Sequence, residues 1–138
     1  MIKKLLSTDI NAIINHHFSL LILRVGAGLL IFTHGWSKLQ KVFNGDFAFA
    51  DPIGLGPAFS LILVAFAEGI CSLLVAAGLW TRLASFVLTI NMAVVAFVAH
   101  ADDPFSSKEK GLLFLLLFVV IMFTGAGKYS LDHKLFSR

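Results

Sequence analysis

Residues Phe59 to Leu79, FSLILVAFAEGICSLLVAAGL, form an apolar stretch long enough to cross a bilayer, with one ionisable residue, Glu68, near its centre. A carboxylate at that depth costs about 2.5–3.5 kcal/mol on insertion scales, so it faces protein or water rather than lipid. The stretch therefore demands neighbours. Other helices must cover Glu68, and a polar group must satisfy it.

Composition generalises the point. Of 138 residues, 58% are hydrophobic and 14% charged, with mean hydropathy +0.89. A soluble domain carries about 25% charged residues. The chain reads as a small integral membrane protein, too short for a bundle plus a separate soluble domain. Its net charge of +3 is spread beside the apolar runs rather than gathered in a patch, so no nucleic-acid partner is expected. One cysteine, Cys71, lies inside an apolar run and reads as a small packing residue; without a second thiol, thiol–disulfide chemistry is excluded.

Four apolar runs predict four helices, over about residues 18–37, 58–80, 82–100 and 109–125. Unsatisfied backbone is costly in lipid and no ten-residue alternation is present, so barrel strands are excluded. The turn-forming segment Asp51-Pro-Ile-Gly-Leu-Gly-Pro57 separates the first two runs. Only Thr81 and Arg82 separate the second and third, which predicts a tight antiparallel hairpin. Asp9, Asn11, Asn15, His16 and His17 interrupt any signal-peptide core. Residues 1–17 instead show helical apolar spacing, as in an amphipathic helix lying on the membrane surface. Lysines and arginines favour both termini inside: Lys3, Lys4, Arg82, Lys128, Lys134 and Arg138 against Lys38, Lys41, Lys108 and Lys110 outside. The expectation is an all-α membrane protein, a four-transmembrane-helix bundle, N-in/C-in, multi-pass in the plasma (inner) membrane.

The polar residues within the runs are the candidates for function. Glu68 lies about 15 Å from the outer end of its helix at 1.5 Å per residue, and Asn91 is at similar depth in the next. Arg24, Gly28, Ile31, Gly35 and Lys38 form one stripe on the first helix, which should face the other helices. Arg24 is the expected charge partner of Glu68 and Asn91 its hydrogen-bond neighbour. One reading makes this a structural lock; the other makes Glu68 a proton acceptor or ligand partner. A second cluster, His34, Lys38, His100 and Glu109 among it, lies toward the outer end. Two histidines without further ligands are a poor basis for a metal or haem site, and neither is expected. A quinone headgroup suits the cluster better: it needs imidazole or ammonium donors, a protonatable acid and apolar walls.

Arg24 with His34-Gly-Trp-Ser-Lys38-Leu39, Asp51-Pro-Ile-Gly-Leu-Gly-Pro57, Phe66-Ala-Glu68, Gly78-Leu-Trp-Thr-Arg-Leu-Ala84 and Asn91-Met92 follow in that order. His100-Ala-Asp-Asp-Pro-Phe105, Lys108-Glu109 and Gly125-Ala-Gly-Lys-Tyr-Ser-Leu-Asp132 complete the set. Taken together they make the chain resemble the DoxX family of small four-helix membrane proteins, from about residue 18 to 132. Gly125-Ala-Gly127 departs from the Gly-Pro-Gly common in that family. The resemblance implies a redox setting: some members are subunits of a thiosulfate:quinone oxidoreductase, and others belong to a membrane complex with a superoxide dismutase and a sulfurtransferase.

The resulting expectation is a membrane subunit of a quinone-linked oxidoreductase, linked to sulfur compounds or oxidative stress. Glu68 and His34 would act catalytically, and Arg24, Lys38, Asn91, His100 and Glu109 would hold the quinone. Redox partner subunits and a homo-oligomer are compatible with it. The alternative is a non-catalytic anchor, or a binder of lipid or another small apolar molecule.

Overall fold

The computed structural model describes residues 12–137, with side chains from residue 16 onward, and is helical without strands over that range. Helix α1 runs Ala12–Phe43, α2 Pro57–Ala77, α3 Thr81–Ala99, α4 Phe105–Thr124, and a short α5 Leu131–Phe136 follows. Three stretches, His16–Phe43, Pro57–Ala77 and Thr81–Ala99, are long and apolar enough to cross a membrane. Helix α4 has 20 residues, but Lys108, Glu109 and Lys110 stand in its first two turns. Side chains such as Ile22, Leu30, Leu73, Phe86, Leu116 and Phe123 point outward. Water-exposed surfaces rarely leave so much apolar area bare, whereas lipid matches it. The chain is a membrane protein.

The expected surface helix over residues 1–17 lies largely outside the described residues. The part that is described, from Ala12, continues into α1 without a break. No proline or glycine stands between Ala12 and Phe18 to stop the helix. At the other end α1 runs past the expected residue 37 to Phe43, where Asn44 and Gly45 end it. At 1.5 Å per residue its 32 residues span about 48 Å, longer than the hydrocarbon layer, so its ends reach headgroup depth.

The hairpin between α2 and α3 turns earlier than expected. Gly78, at φ 73°, ends α2: its N–H donates to Val75 O at 3.1 Å, and the Leu79 N–H donates to Leu74 O at 2.9 Å. This is the paired ending that glycine permits. Trp80 then adopts φ 48°, uncommon for a residue with a side chain. Asp132, opening α5, stabilises the bend by accepting from the Trp80 and Thr81 amides at 2.7 and 2.9 Å. These are two of the orphan donors at the start of α3.

The helices pack through small residues. A Cβ built on Gly35 would lie 2.2 Å from the Glu68 carbonyl, and one on Gly28 would lie 2.6 Å from Ser72 O. The α1 backbone thus rests on α2, a close approach that only glycine allows. Behind this contact Ile31, Val75, Leu88, Phe118 and Ile121 form the core.

Arg24 is fully buried, at 2% exposure, but Glu68 is not its partner. Its guanidinium donates to Ala126 O at 3.1 Å, to Val75 O at 3.4 Å, and to the carbonyls of Ala76 and Tyr129. Gly35 contacts Glu68, and Arg24 lies 11 residues earlier on α1, about 16 Å along the axis. That distance rules out an Arg24–Glu68 pair. The C-terminal carbonyls of α2, which carry partial negative charge, take the cation instead.

Replacing Gly35 by alanine should force α1 off α2, costing about 1–3 kcal/mol as overpacking does. Gly26→Ala meets nothing within 4 Å and should leave stability unchanged or slightly raised. Thermal unfolding in detergent, followed by circular dichroism, separates the two; equal melting temperatures would refute the close contact.

Candidate functional site

The contact at Gly35 brings Lys38, one turn further along α1, beside Glu68. Lys38 Nζ lies 2.5 Å from Glu68 Oε2, and Asn91 Nδ2 donates to Glu68 Oε1 at 3.0 Å. One carboxylate thus joins three helices. The Glu68 side chain is 5% exposed and that of Lys38 20%, so the pair sits at the inner edge of an opening rather than in sealed interior.

Glu68 lies within a wider, π-helical segment of α2, Phe66–Cys71, and a second such segment, Val95–Ala99, closes α3. Single π turns are frequent at functional sites because they redirect side chains within an otherwise regular helix. Around Glu68 the Ser72 hydroxyl is bonded to the carbonyls of Glu68 and Gly69, at 2.5 and 2.9 Å. After the second segment the chain leaves the helix at His100, whose Nδ1 lies 2.6 Å from Asp103 Oδ2. Lys108 donates to Ala101 O at 2.6 Å and holds this corner against α4.

These elements enclose a cavity of about 640 Å³. That is within the usual range for small-molecule pockets. Glu68, Lys38 and Asn91 lie on its wall, with His34, His100 and Lys110. Ile31, Val64, Met92, Val95 and Phe114 supply the apolar lining. His34 stands one turn before Lys38 on the same face of α1, and its imidazole makes no hydrogen bond among the described residues. The two polar clusters seen in the sequence therefore share one space.

The loop between α1 and α2 forms one side of the cavity through Phe49, Ala50 and Pro52. Asp51 pins it: its carboxylate accepts from the Leu55 and Gly56 amides and the Ser60 hydroxyl, each at 2.9 Å. The Gly56 amide above all, with Ser60 and Leu55, holds Asp51 below the usual carboxylate range, against an opposing effect of partial desolvation.

Of the seven residues singled out in the sequence, His34, Lys38, Glu68, Asn91 and His100 meet in the cavity. Arg24 and Glu109 do not line it. Glu109 is exposed on α4, on a different face from Ser106, Ser107, Lys110, Gly111 and Phe114, which do. Lys110 and the two serines were missed. The signal was their helical spacing with Gly111 and Phe114, masked because Lys110 reads as a topology charge. Among the described residues no group of three or more His, Cys, Asp or Glu is placed to hold a metal ion.

The DoxX family profile matches residues 19–101, which span α1 from Ser19 through α3 and include His34, Lys38, Glu68, Asn91 and His100. The chain belongs to the DoxX family. An uncharacterized protein of Haemophilus influenzae is 30% identical over 132 residues, covering 88% of this chain and 93% of that protein. A Bacillus subtilis protein named "Putative oxidoreductase CatD" is 36% identical over 117 residues, covering 84% of this chain and 86% of its own. No solved structure matches. Of the residues that line this DoxX cavity, those on α4 fall outside the matched segment.

Removing one member of the ion pair leaves a charge in low dielectric, which costs up to about 3–5 kcal/mol when fully buried and less here because Lys38 is partly wet. Lys38→Met should therefore lower the melting temperature clearly, while Lys38→Met/Glu68→Gln should regain most of the loss, since Asn91 can still donate to the amide oxygen. A double-mutant cycle by thermal unfolding measures the coupling, and additive losses would contradict a direct pair.

Proposed function

We propose that the chain is the membrane subunit of a quinone-linked oxidoreductase and that the cavity around Glu68 holds the quinone headgroup. The observation that carries this reading is the shared wall: a buried acid with its ammonium and amide partners, two imidazoles, and an apolar lining, in one space of about 640 Å³. Membership of the DoxX family and a relative named as an oxidoreductase support the redox class. A bound quinone would supply the capacity to take two electrons with two protons; the electrons would come from a partner subunit.

The residues present suit that group. His34 has an unengaged imidazole, and Lys38 has three ammonium protons of which Glu68 Oε2 takes one. Both can donate to a carbonyl oxygen. Lys38 would pass an ammonium proton to such an oxygen and take one back from water at its partly wet end, while the Glu68 carboxylate holds the lysine in place. Asn91 fixes the carboxylate so that this exchange keeps one geometry. His100, oriented by Asp103, stands at the rim as a second proton-carrying ring. Ile31, Val64, Met92 and Phe114 limit water around the ring and its tail. A second reading, favoured by the 2.5 Å contact and its closure by Asn91, is that the network only locks three helices in an anchor that does no chemistry.

The proposed setting is four spans in the plasma membrane with both termini inside and the cavity toward the outer face. Partner subunits or a second copy would cover part of the lipid-facing surface. In this arrangement α4 crosses from Gly111 inward, with Lys108, Glu109 and Lys110 at headgroup depth. An impermeant maleimide applied to intact cells should label Lys108→Cys but not Lys134→Cys, both in a Cys71→Ser background. Labelling at position 134 alone would reverse the orientation.

Titration of the detergent-purified protein with a short-tailed benzoquinone, followed by calorimetry, tests the function. Saturable binding is expected, weakened at least tenfold (about 1.4 kcal/mol) in Glu68→Gln and unchanged in Glu109→Gln. Absence of saturable binding, or equal affinity in Glu68→Gln, would leave the locking role as the better account.

A further inference from the structure

A second cavity, of about 780 Å³, lies at the opposite end of the bundle. It is bounded by His17 on α1, the start of α3 from Trp80 to Leu83, the turn from Thr124 to Lys128, and α5. Its polar inventory is one-sided. Arg82, Lys128, His17 and His133 all line it, and among the described residues Asp132 is the one carboxylate that does. Both oxygens of Asp132 are occupied by the Trp80 and Thr81 amides. Neither Arg82 nor Lys128 has a carboxylate partner among the described residues. The Arg82 guanidinium donates at long range, 3.5 Å, to Phe123 O.

Two further details point the site toward a ligand. The Lys128 N–H donates to His17 Nδ1 at 3.3 Å, so a neutral His17 carries its proton on Nε2, as a donor. Thr81, at 1% exposure, is among the lining residues, and its buried hydroxyl has no hydrogen-bond partner among the described residues. A buried orphan hydroxyl is costly and calls for an acceptor. Guanidinium, ammonium, imidazole and hydroxyl donors around one space match a phosphate, whose oxygens accept from all four and take the fork of arginine in particular. Trp80, Leu83 and Phe136 add apolar surface at the same opening.

We propose that this end of the bundle binds a net-anionic phosphate group through Arg82, Lys128, His17 and the Thr81 hydroxyl. Its position at the ends of the spanning helices makes the headgroup of an anionic phospholipid its natural source, since cationic groups at that depth attract such lipids. The site is separate from the cavity around Glu68 and does not depend on the function assigned there.

The test uses the full-length protein, delipidated in a neutral maltoside detergent. It compares phosphatidylglycerol, phosphatidylcholine and inorganic phosphate by thermal shift and native mass spectrometry. Phosphatidylglycerol should raise the melting temperature saturably and remain bound in the gas phase, whereas phosphatidylcholine, whose quaternary ammonium opposes Arg82 and Lys128, should not. Arg82→Gln/Lys128→Gln should weaken that effect at least tenfold and Thr81→Val several-fold, with Glu68→Gln binding as the unaltered protein does. Stabilisation by inorganic phosphate at similar concentrations supports phosphate recognition with a soluble source. Equal shifts with phosphatidylcholine, retained binding in the double variant, or no response to either anion would overturn the proposal.

Discussion

A carboxylate in the middle of a membrane helix must be answered by something, and most of this structure can be traced to how Glu68 is answered. Lys38 takes one oxygen and Asn91 the other, so α1, α2 and α3 are tied at one point. The tie is possible because Gly35 has no side chain: α1 comes down onto the Glu68 carbonyl, and the next turn delivers the lysine. The π turn around Glu68 is where α2 departs from regular geometry. Buried ion pairs are weak evidence for stability, because well-packed apolar residues often do as well or better. The pair therefore calls for a reason beyond holding helices. Its placement on a cavity wall, with lysine protons left over, provides one.

The other end of the bundle solves a different problem with the same means. There the chain must reverse between α2 and α3 in three residues while α4 ends beside it. Arg24 satisfies the carbonyls of Val75, Ala76, Ala126 and Tyr129 at once, and Asp132 satisfies the amides of Trp80 and Thr81. A buried cation and a capping anion thus make their hydrogen bonds to the backbone rather than to each other. The cations around them, Arg82 and Lys128, are left without anionic partners among the described residues. The charge asymmetry of this end follows from where its one well-placed acid is used.

What the sequence made legible divides along the same line. The existence of the helices, the inward stripe of Arg24, Gly28, Ile31, Gly35 and Lys38, and the nearness of Asn91 to Glu68 all follow from period and depth, which are local quantities. The partner of Glu68 does not. Arg24 and Lys38 sit on the same stripe with opposite offsets from Glu68, and the choice depends on the axial register of α1 against α2. That register is set by which glycine meets which carbonyl, a contact between residues 35 and 68 that no local pattern encodes. Arg24 also looked like an acid's partner because carbonyl clamps leave no sequence signature. Lys110 was overlooked because a lysine at a helix start reads equally well as a topology charge.

The register also explains why the cavity lies where it does. Glycines at 28 and 35 bring α1 against α2 over two turns, and Gly111 lets α4 approach Val95 and Ala96 on α3. The two close-packed pairs meet least tightly beside Lys38, Glu68 and His34, where the cavity lies. The loop pinned by Asp51 then forms a side wall without filling the space. A bundle built only for anchoring would gain by collapsing this gap with a larger apolar residue at 64 or 92. Retaining it next to a buried carboxylate, while small residues elsewhere permit contact at backbone distance, is an arrangement that suits a bound small molecule.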